Sequence, residues 1–281
     1  YGSDAIAGVI NIVLKGSGSG GSLAVDYGQY SAGDGNKYQL SGDTGVEFGS
    51  GRGRLHVAGQ ISQQDESNRA GPYQGSTPNT GNFPGIGETT FVVGDPRVDA
   101  TAASANASFD FSDRVTGYAS ALLSNRDITS FAFYRSRNHS GQGALLAQIY
   151  PDGFVPQINQ YSKDRSLVAG VKGSTDSGWT WDLSLNHGEN TLDFHTRNSI
   201  NYSLGATSPR SFYDGTLKYQ QDIFNADLTK SLDWGLAYPV TLSFGGEYRK
   251  EKWDQNPGEL NSYTGSGAQG FAGFTPTNEV H

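Results

Sequence analysis

The sequence predicts an all-β protein, an antiparallel transmembrane β-barrel of which about nine strands are present, and three observations predict it. Apolar and polar side chains alternate with period two, connections alternate between short and long, and 39 Gly are joined to 15 Tyr and 14 Phe in 281 residues. Successive strand side chains point to opposite faces, so a sheet with lipid on one side and water on the other must alternate in this way.

The first alternating segment carries Leu23, Val25 and Tyr27 on one face. From Tyr38 to Phe48 one face reads Tyr38, Leu40, Gly42, Thr44, Val46, Phe48, and the other reads Gln39, Ser41, Asp43, Gly45, Glu47. That segment matches the roughly 9–11 tilted residues that cross a bilayer, and an aromatic stands at each end, at the depth of the interfacial girdles. Leu55, Val57, Gly59 and Ile61 follow, then Ala105, Ala107, Phe109 and Phe111. Val115 to Leu123 and Leu167 to Val171 alternate more weakly. Trp179, Trp181, Leu183 and Leu185 restore a clear pattern, Tyr213 to Leu232 is weak again, and Val240, Leu242, Phe244, Gly246 and Tyr248 complete the series. The phase slips near Ile223 and Phe224, which predicts a β-bulge there, because one extra residue turns every later side chain to the other face.

Short connections are expected at Gly49 to Arg52, Ser112 to Arg114, Thr175 to Gly178 and Asp233 to Pro239. Long ones are expected from about Ser62 to Thr101, Arg126 to Ser162 and Asn190 to Tyr213, with another from Asp254 onward. Structureless stretches beyond roughly 12–15 residues are uncommon in compact soluble domains, whereas short turns on one rim and long loops on the other are the habit of membrane barrels. Ser31 to Asn36 is short yet falls on the long-loop side.

Composition excludes several function classes. No stretch approaches the roughly 20 apolar residues of a transmembrane helix. A mean hydropathy of -0.52 is compatible with a barrel in which alternate residues face lipid. A net charge of -8 and a pI near 5.0 argue against a nucleic-acid partner. Zero cysteines remove disulfides, thiolate metal sites and cysteine nucleophiles. With no Met, Tyr1 is not expected to be the point where translation began, so the chain is read as a piece of a longer one.

Gly16-Ser17-Gly18-Ser19-Gly20-Gly21 superficially resembles a phosphate-cradling loop, but no helix follows, and it reads as a flexible linker. Gly49 to Arg54 reads as a tight turn. His56, His139, His187, His195 and His281 lack the spacing of a helical metal motif, so no metal site, cofactor or catalytic group is assigned. His187 and His195 border one expected loop, with a solvated or hydrogen-bonded role. Asp26, Asp43, Glu47, Asp110 and Asp182 are expected on the wet, lumenal face, where alternation accounts for them without any acid–base chemistry.

Tyr1-Gly2-Ser3-Asp4-Ala5-Ile6-Ala7-Gly8-Val9-Ile10-Asn11-Ile12-Val13-Leu14-Lys15 strongly resembles the end of the plug domain of TonB-dependent receptors, with Leu14 where Thr is common. Tyr150-Pro151-Asp152-Gly153-Phe154-Val155-Pro156-Gln157-Ile158-Asn159 resembles a barrel-loop signature of one branch of that family. So does Gly267-Ala268-Gln269-Gly270-Phe271-Ala272-Gly273-Phe274-Thr275-Pro276-Thr277-Asn278-Glu279-Val280, with Ala272 in place of Pro. The resemblance implies three parts: residues 1–15 as the end of a plug, 16–21 as a Gly/Ser linker, and 22–281 as the N-terminal part of a barrel of roughly 22 strands. It implies a site in the outer membrane of a Gram-negative bacterium, in contact with outer-membrane lipid. It also implies a TonB energy-transducing partner acting through a missing N-terminal region, and a scarce extracellular ligand such as a metal chelate.

Ligand contacts are expected in the loops, where Phe131, Phe133, Tyr134, Arg135 and Arg137 are the densest aromatic and cationic cluster. Arginine forks and aromatic faces suit an anionic, ring-bearing ligand such as a ferric siderophore. The plainer reading of the same residues is an extension of the interfacial girdle with arginines on the loop rim. Two other readings of the whole chain stay open, a passive or autotransporter-type barrel and a secreted β protein that binds or cleaves glycans.

Overall fold

Nine strands follow one another in space as they do in sequence, each hydrogen-bonded antiparallel to its sequence neighbours. The structure, a computed structural model, describes residues 14–16, 18–74 and 87–265. The plug-end motif from Tyr1 to Val13 and the second loop signature, Gly267 to Val280, lie outside the described residues. The strands are β1 Gly21–Gly28, β2 Lys37–Phe48, β3 Gly53–Gln64, β4 Arg97–Ser112, β5 Val115–Phe131, β6 Gln157–Ser174, β7 Trp179–Arg197, β8 Ser211–Leu232 and β9 Val240–Pro257. All nine expected strands are present. Among the described residues no helix is long and apolar enough to cross a membrane.

Register shows which side chains share a face. Tyr38 stands opposite Tyr27 and Gln63, Leu40 opposite Val25 and Ile61, and Phe48 opposite Gly53, which in turn faces Phe109. The apolar face is continuous across the sheet, and on it Leu23 and Val25 are 77% and 78% exposed, as side chains that meet lipid must be. Aromatics mark both edges of the band. Phe48 stacks on Phe109 at 6.0 Å and Trp179 meets Phe244 at 6.3 Å along the short-turn edge; Tyr27 meets Tyr38 at 5.2 Å along the other. Arg52 over Phe109 and Lys230 over Trp179 lie along the same short-turn edge, as cations at an interface do.

The band crosses the ladder on a diagonal. In register, Tyr38 leads through Gln63, Asp99, Asp127, Tyr161, Asp193 and Thr216 to Asn256 on β9. Yet the apolar face of β9 tops out at Tyr248, eight residues lower after seven strand-to-strand steps. At roughly 3.4 Å per residue and 4.8 Å between strands, that slide corresponds to a strand tilt of about 39°, inside the roughly 35–45° that transmembrane barrels adopt.

Three expectations are corrected. First, no bulge stands at Ile223 and Phe224, where pairing with Asn186 and Leu185 is unbroken. Phe224 faces outward at the top of the band and Asp222 above it is in water, so the slip in pattern marks the strand leaving lipid. The register shift lies higher, between Phe194 and His195, where Asp214 of β8 is the extra residue. Secondly, the long loops are shorter than expected, 65–96, 132–156 and 198–210, because β4 to β8 continue above the band, up to 22 residues in β8. Alternation fades there because both faces are wet, while the hydrogen-bond ladder carries on. Thirdly, β9 runs past Asp254 to Pro257 for the same reason. On this overhang the outer face is cross-linked by polar pairs: ion pairs of Lys218 with Glu189 at 3.0 Å and Lys163 with Asp193 at 3.5 Å, and a hydrogen bond between His187 and Asp222 at 2.6 Å.

Leu183 sits mid-band on the outer face of β7, and Asn186 faces the opposite way. In the intact barrel folded into lipid vesicles, Leu183→Arg is expected to cost about 2–4 kcal/mol and Asn186→Arg much less, measured by denaturant titration; equal costs would contradict this assignment of faces.

Candidate functional site

The loops on the long-loop rim form two packed units. In the first, residues 29–36 are tied to 65–96. Arg69 grips Asp34 with both guanidinium nitrogens, at 2.6 and 2.9 Å, and the backbone N–H of Asn68 donates to the same carboxylate at 2.9 Å. The guanidinium beside it holds the Asp34 carboxyl well below the usual range, at about 2. Residues 67–73 run antiparallel to 87–95 through backbone bonds from Ser67 to Asp95, Arg69 to Val93 and Tyr73 to Glu88, so the described parts of that loop pair as the two arms of a hairpin. Asn68 braces it, donating to the Phe91 carbonyl and accepting from the Val93 N–H.

The second unit joins 132–156 to 198–210. The short helix α1, Gly143–Ile149, buries Leu146, which packs with Phe154 and Ile200 into a small apolar core flanked by Ile149, Tyr150 and Tyr202. Tyr150 and Phe154 stack at 4.2 Å, Arg210 lies over Tyr150, and Tyr150 donates to the Ser199 carbonyl. Asn198 donates to the Val155 carbonyl, and Asn201 reaches on to Asn261 and Thr264 beyond β9. Most of this core comes from the Tyr150 to Asn159 stretch and the apolar run before it, so that signature builds a loop scaffold. Gly153, at φ +79°, explains one of its fixed positions: a Cβ there collides with the Tyr134 hydroxyl and the Arg135 carbonyl. Asn159 is buried, with its amide donated to Thr129.

The five residues singled out for ligand contact are neighbours in sequence but divide in space. Phe131 is the last residue of β5, paired with Gln157, and so belongs to the barrel rather than to a loop. Phe133 and Tyr134 meet Phe91 of the hairpin at 6.2 and 6.5 Å, and Phe133 is 72% exposed. Arg135 is half-buried; its backbone pairs with Phe154, and its charge acts on His139 and Tyr202. Arg137 is exposed and acts on Tyr134. The face the structure offers is thus Phe91, Phe133, Tyr134 and Arg137, open to solvent where the two loop units meet. Phe91 was missed because it lies far away in sequence, in a segment without strand alternation.

His139 Nδ1 lies 3.0 Å from the Tyr202 hydroxyl. Burial, helped by Arg135, pushes the imidazole below its usual value, while burial raises Tyr150 and Tyr202. His187 and His195 both stand on β7 and do not meet: His187 bonds Asp222, and His195 lies between the rings of Tyr161 and Tyr213.

Below the loops, the face opposite the apolar band carries Asp26, Asp43, Glu47, Asp110 and Asp182, as expected. Asp182 accepts from the Tyr118 hydroxyl at 2.6 Å, Lys172 lies over that ring, and Asp110 faces Arg54. This is a structural network of pairs. Among the described residues no group of three His, Asp or Glu stands close enough to hold a metal ion.

No family model matches the chain, and no curated protein does. Solved structures do. The ferric enterobactin receptor of Pseudomonas aeruginosa, as a variant in complex with enterobactin, aligns at a TM-score of 0.58 over 89% of this chain with 19% identity. A second variant of that receptor aligns at 0.57 over 90% with 17% identity. The chain spans about a third of those structures, 34% of each. At such identity the likeness is one of fold: the nine-stranded antiparallel sheet has the architecture of part of those structures.

Two outcomes follow from the loop geometry. The neutral imidazole of His139 favours the packed loops, so their stability is full above the unfolded value near 6.5 and falls as pH drops below it. Hydrogen-exchange protection in 143–149 and 198–207, corrected for the intrinsic pH dependence of exchange, is expected to fall on acidification through that range, and His139→Gln to abolish the dependence. Gly153→Ala is expected to cost about 1–3 kcal/mol of local stability, read as protease cleavage within 132–156 while the barrel stays folded.

Proposed function

We propose that this chain is part of a TonB-dependent receptor of a Gram-negative outer membrane, one that binds a scarce extracellular ligand at its loops and imports it to the periplasm. The ligand class favoured is a ferric siderophore. The observation that carries the reading is a tilted, lipid-banded sheet whose tall overhang supports packed loops presenting aromatic rings beside an arginine. A passive pore has no need of loops braced by Asp34, Arg69, Leu146 and Phe154 into fixed units, whereas a receptor needs rigid contacts already in place before the ligand arrives. The fold likeness to receptors for ferric enterobactin supports the same class. No step of covalent chemistry enters: the ligand is held by ring faces and charge, and its passage requires displacement of whatever fills the barrel, by energy relayed from the inner membrane through TonB.

Phe133 and Arg137 are exposed, so truncating either leaves the fold intact. With ferric catecholate as the probe and the full-length receptor in detergent, Phe133→Ala and Arg137→Ala are each expected to weaken binding about tenfold, the value of a ring or cation contact near 1–1.5 kcal/mol. Deleting the gene is expected to slow growth on that chelate under iron starvation. Unchanged growth after deletion, with no binding to any ferric chelate, would sink the siderophore assignment.

A further inference from the structure

The residues just before β1 are held against the inner wall. Lys15 Nζ lies 2.8 Å from one oxygen of Asp43, and His56 Nε2 lies 3.1 Å from the other. The Ser22 hydroxyl donates to the same carboxylate. Asp43 keeps 11% of its side chain exposed and His56 only 4%, so the charge is poorly solvated and depends on these partners. From β4, Asn106 Nδ2 donates to the Lys15 carbonyl at 3.3 Å. Further along, Gly18 is buried where a Cβ would collide with the Glu47 side chain, and the Gly20 carbonyl accepts from the Gly45 N–H at 2.8 Å. Gly18 thus serves close approach to the wall, which a free linker does not require.

We propose that Lys15, Asp43 and His56 form an anchor that takes any load arriving from the chain before Lys15 and keeps it off β1. The inference rests on the reading above, in which that chain is the tail of a plug displaced during uptake. The geometry assigns the task to these residues. Without the anchor, a pull passes through the glycines to the first rung of β1, Gly21 opposite Thr44, and the ladder peels one rung at a time. With it, the pull must first separate the Lys15 ammonium, itself 66% exposed, from a carboxylate that is 11% exposed and shared with His56 and Ser22. Asp43 is thus a positioning residue: movement before Lys15 is permitted, and movement after it is not.

This chain has no cysteine, and with any cysteine elsewhere in the full-length protein replaced by serine an introduced one reports alone. Gly16→Cys is a suitable probe, because a side chain there meets only Asn106 Nδ2, at an ordinary 3.6 Å. In the full-length protein in lipid vesicles, a nitroxide attached at that exposed site is expected to move slowly, held by the anchored backbone, and Asp43→Asn or Lys15→Gln to shorten its correlation time severalfold, with Asp43→Glu restoring the slow motion. Heat-modifiable migration on gels checks that each barrel is folded. Equal spin-label mobility in all variants overturns the anchor. A second arm replaces the ion pair by a reducible tether, Lys15→Cys with Asp43→Cys bridged by a bis-methanethiosulfonate reagent of matching length, since a direct disulfide needs Cα atoms closer than a Lys–Asp pair brings them. Uptake is expected to be the same tethered or released; uptake lost on tethering and regained with reductant means that the pair opens during transport, and overturns a fixed anchor. If the unsubstituted receptor imports no chelate, the transport reading fails while the spin-label result still decides whether the anchor exists.

Discussion

The structure depends on one constraint: in hydrocarbon, a backbone N–H or C=O has no water to bond, so every one of them must find a partner in the sheet. The ladder from β1 to β9 meets it, with continuous pairing from Gly21 to Pro257 in sequence order. Both register irregularities stand outside the lipid band. One, between Asp110 and Ser112, is beside a short turn, and the other, at Asp214, is on the overhang. A bulge leaves a residue unpaired, which is harmless in water and costly in lipid, so their location follows from the same constraint. β1 and β9 each present an edge with no partner among the described residues, and in lipid such an edge calls for another strand.

Tilt converts that ladder into a platform. Because the band slides about one residue per strand, strands cross the membrane obliquely and need length both within it and above it. The overhang on β7 and β8 raises a charged, hydrogen-bonded wall above the lipid, and the loops stand on this wall. Their packing then needs few residues: one buried Leu146, one stacked Tyr150 and Phe154, and one forked Arg69 on Asp34 brace the backbone of 132–156 and the described parts of 65–96. The exposed rings of Phe91 and Phe133 are held at their edges by elements that do not touch lipid at all.

How much of this was legible in sequence varies with the solvent on each face. Within the band, lipid on one side forces alternation, so Tyr38 to Phe48 and Val240 to Tyr248 identified their strands and faces residue by residue. Above the band, both faces are wet and composition carries no period, so Arg126 to Phe131 and Asn190 to Arg197 read as loop though the ladder continues through them. Ile223 was misread for a related reason: an apolar residue on the inner face just where the outer face turns polar imitates a change of register. The candidate site was legible in residue type and not in partnership. Phe133 and Arg137 are where sequence placed them, but Arg135 spends its backbone on Phe154, and Phe91 joins the cluster from a hairpin built by the tertiary bonds of Asn68 and Asp34.

In the receptor proposed above, the chemistry of the inner wall bears on how a filling of the barrel could be moved. Arg54 with Asp110, Tyr118 with Asp182 and Arg126 with Asp164 satisfy one another within the wall. Such a surface offers the interior few unpaired charges and little apolar area. Contacts to it are therefore exchangeable for water at small cost, in contrast to a hydrophobic interface, whose separation exposes area that water cannot compensate. A wall of this kind lets its contents slide, and places where it grips must be specific. Asp43 is such a place, because its carboxylate is satisfied in part by Lys15, a residue that precedes β1 and is no part of the ladder.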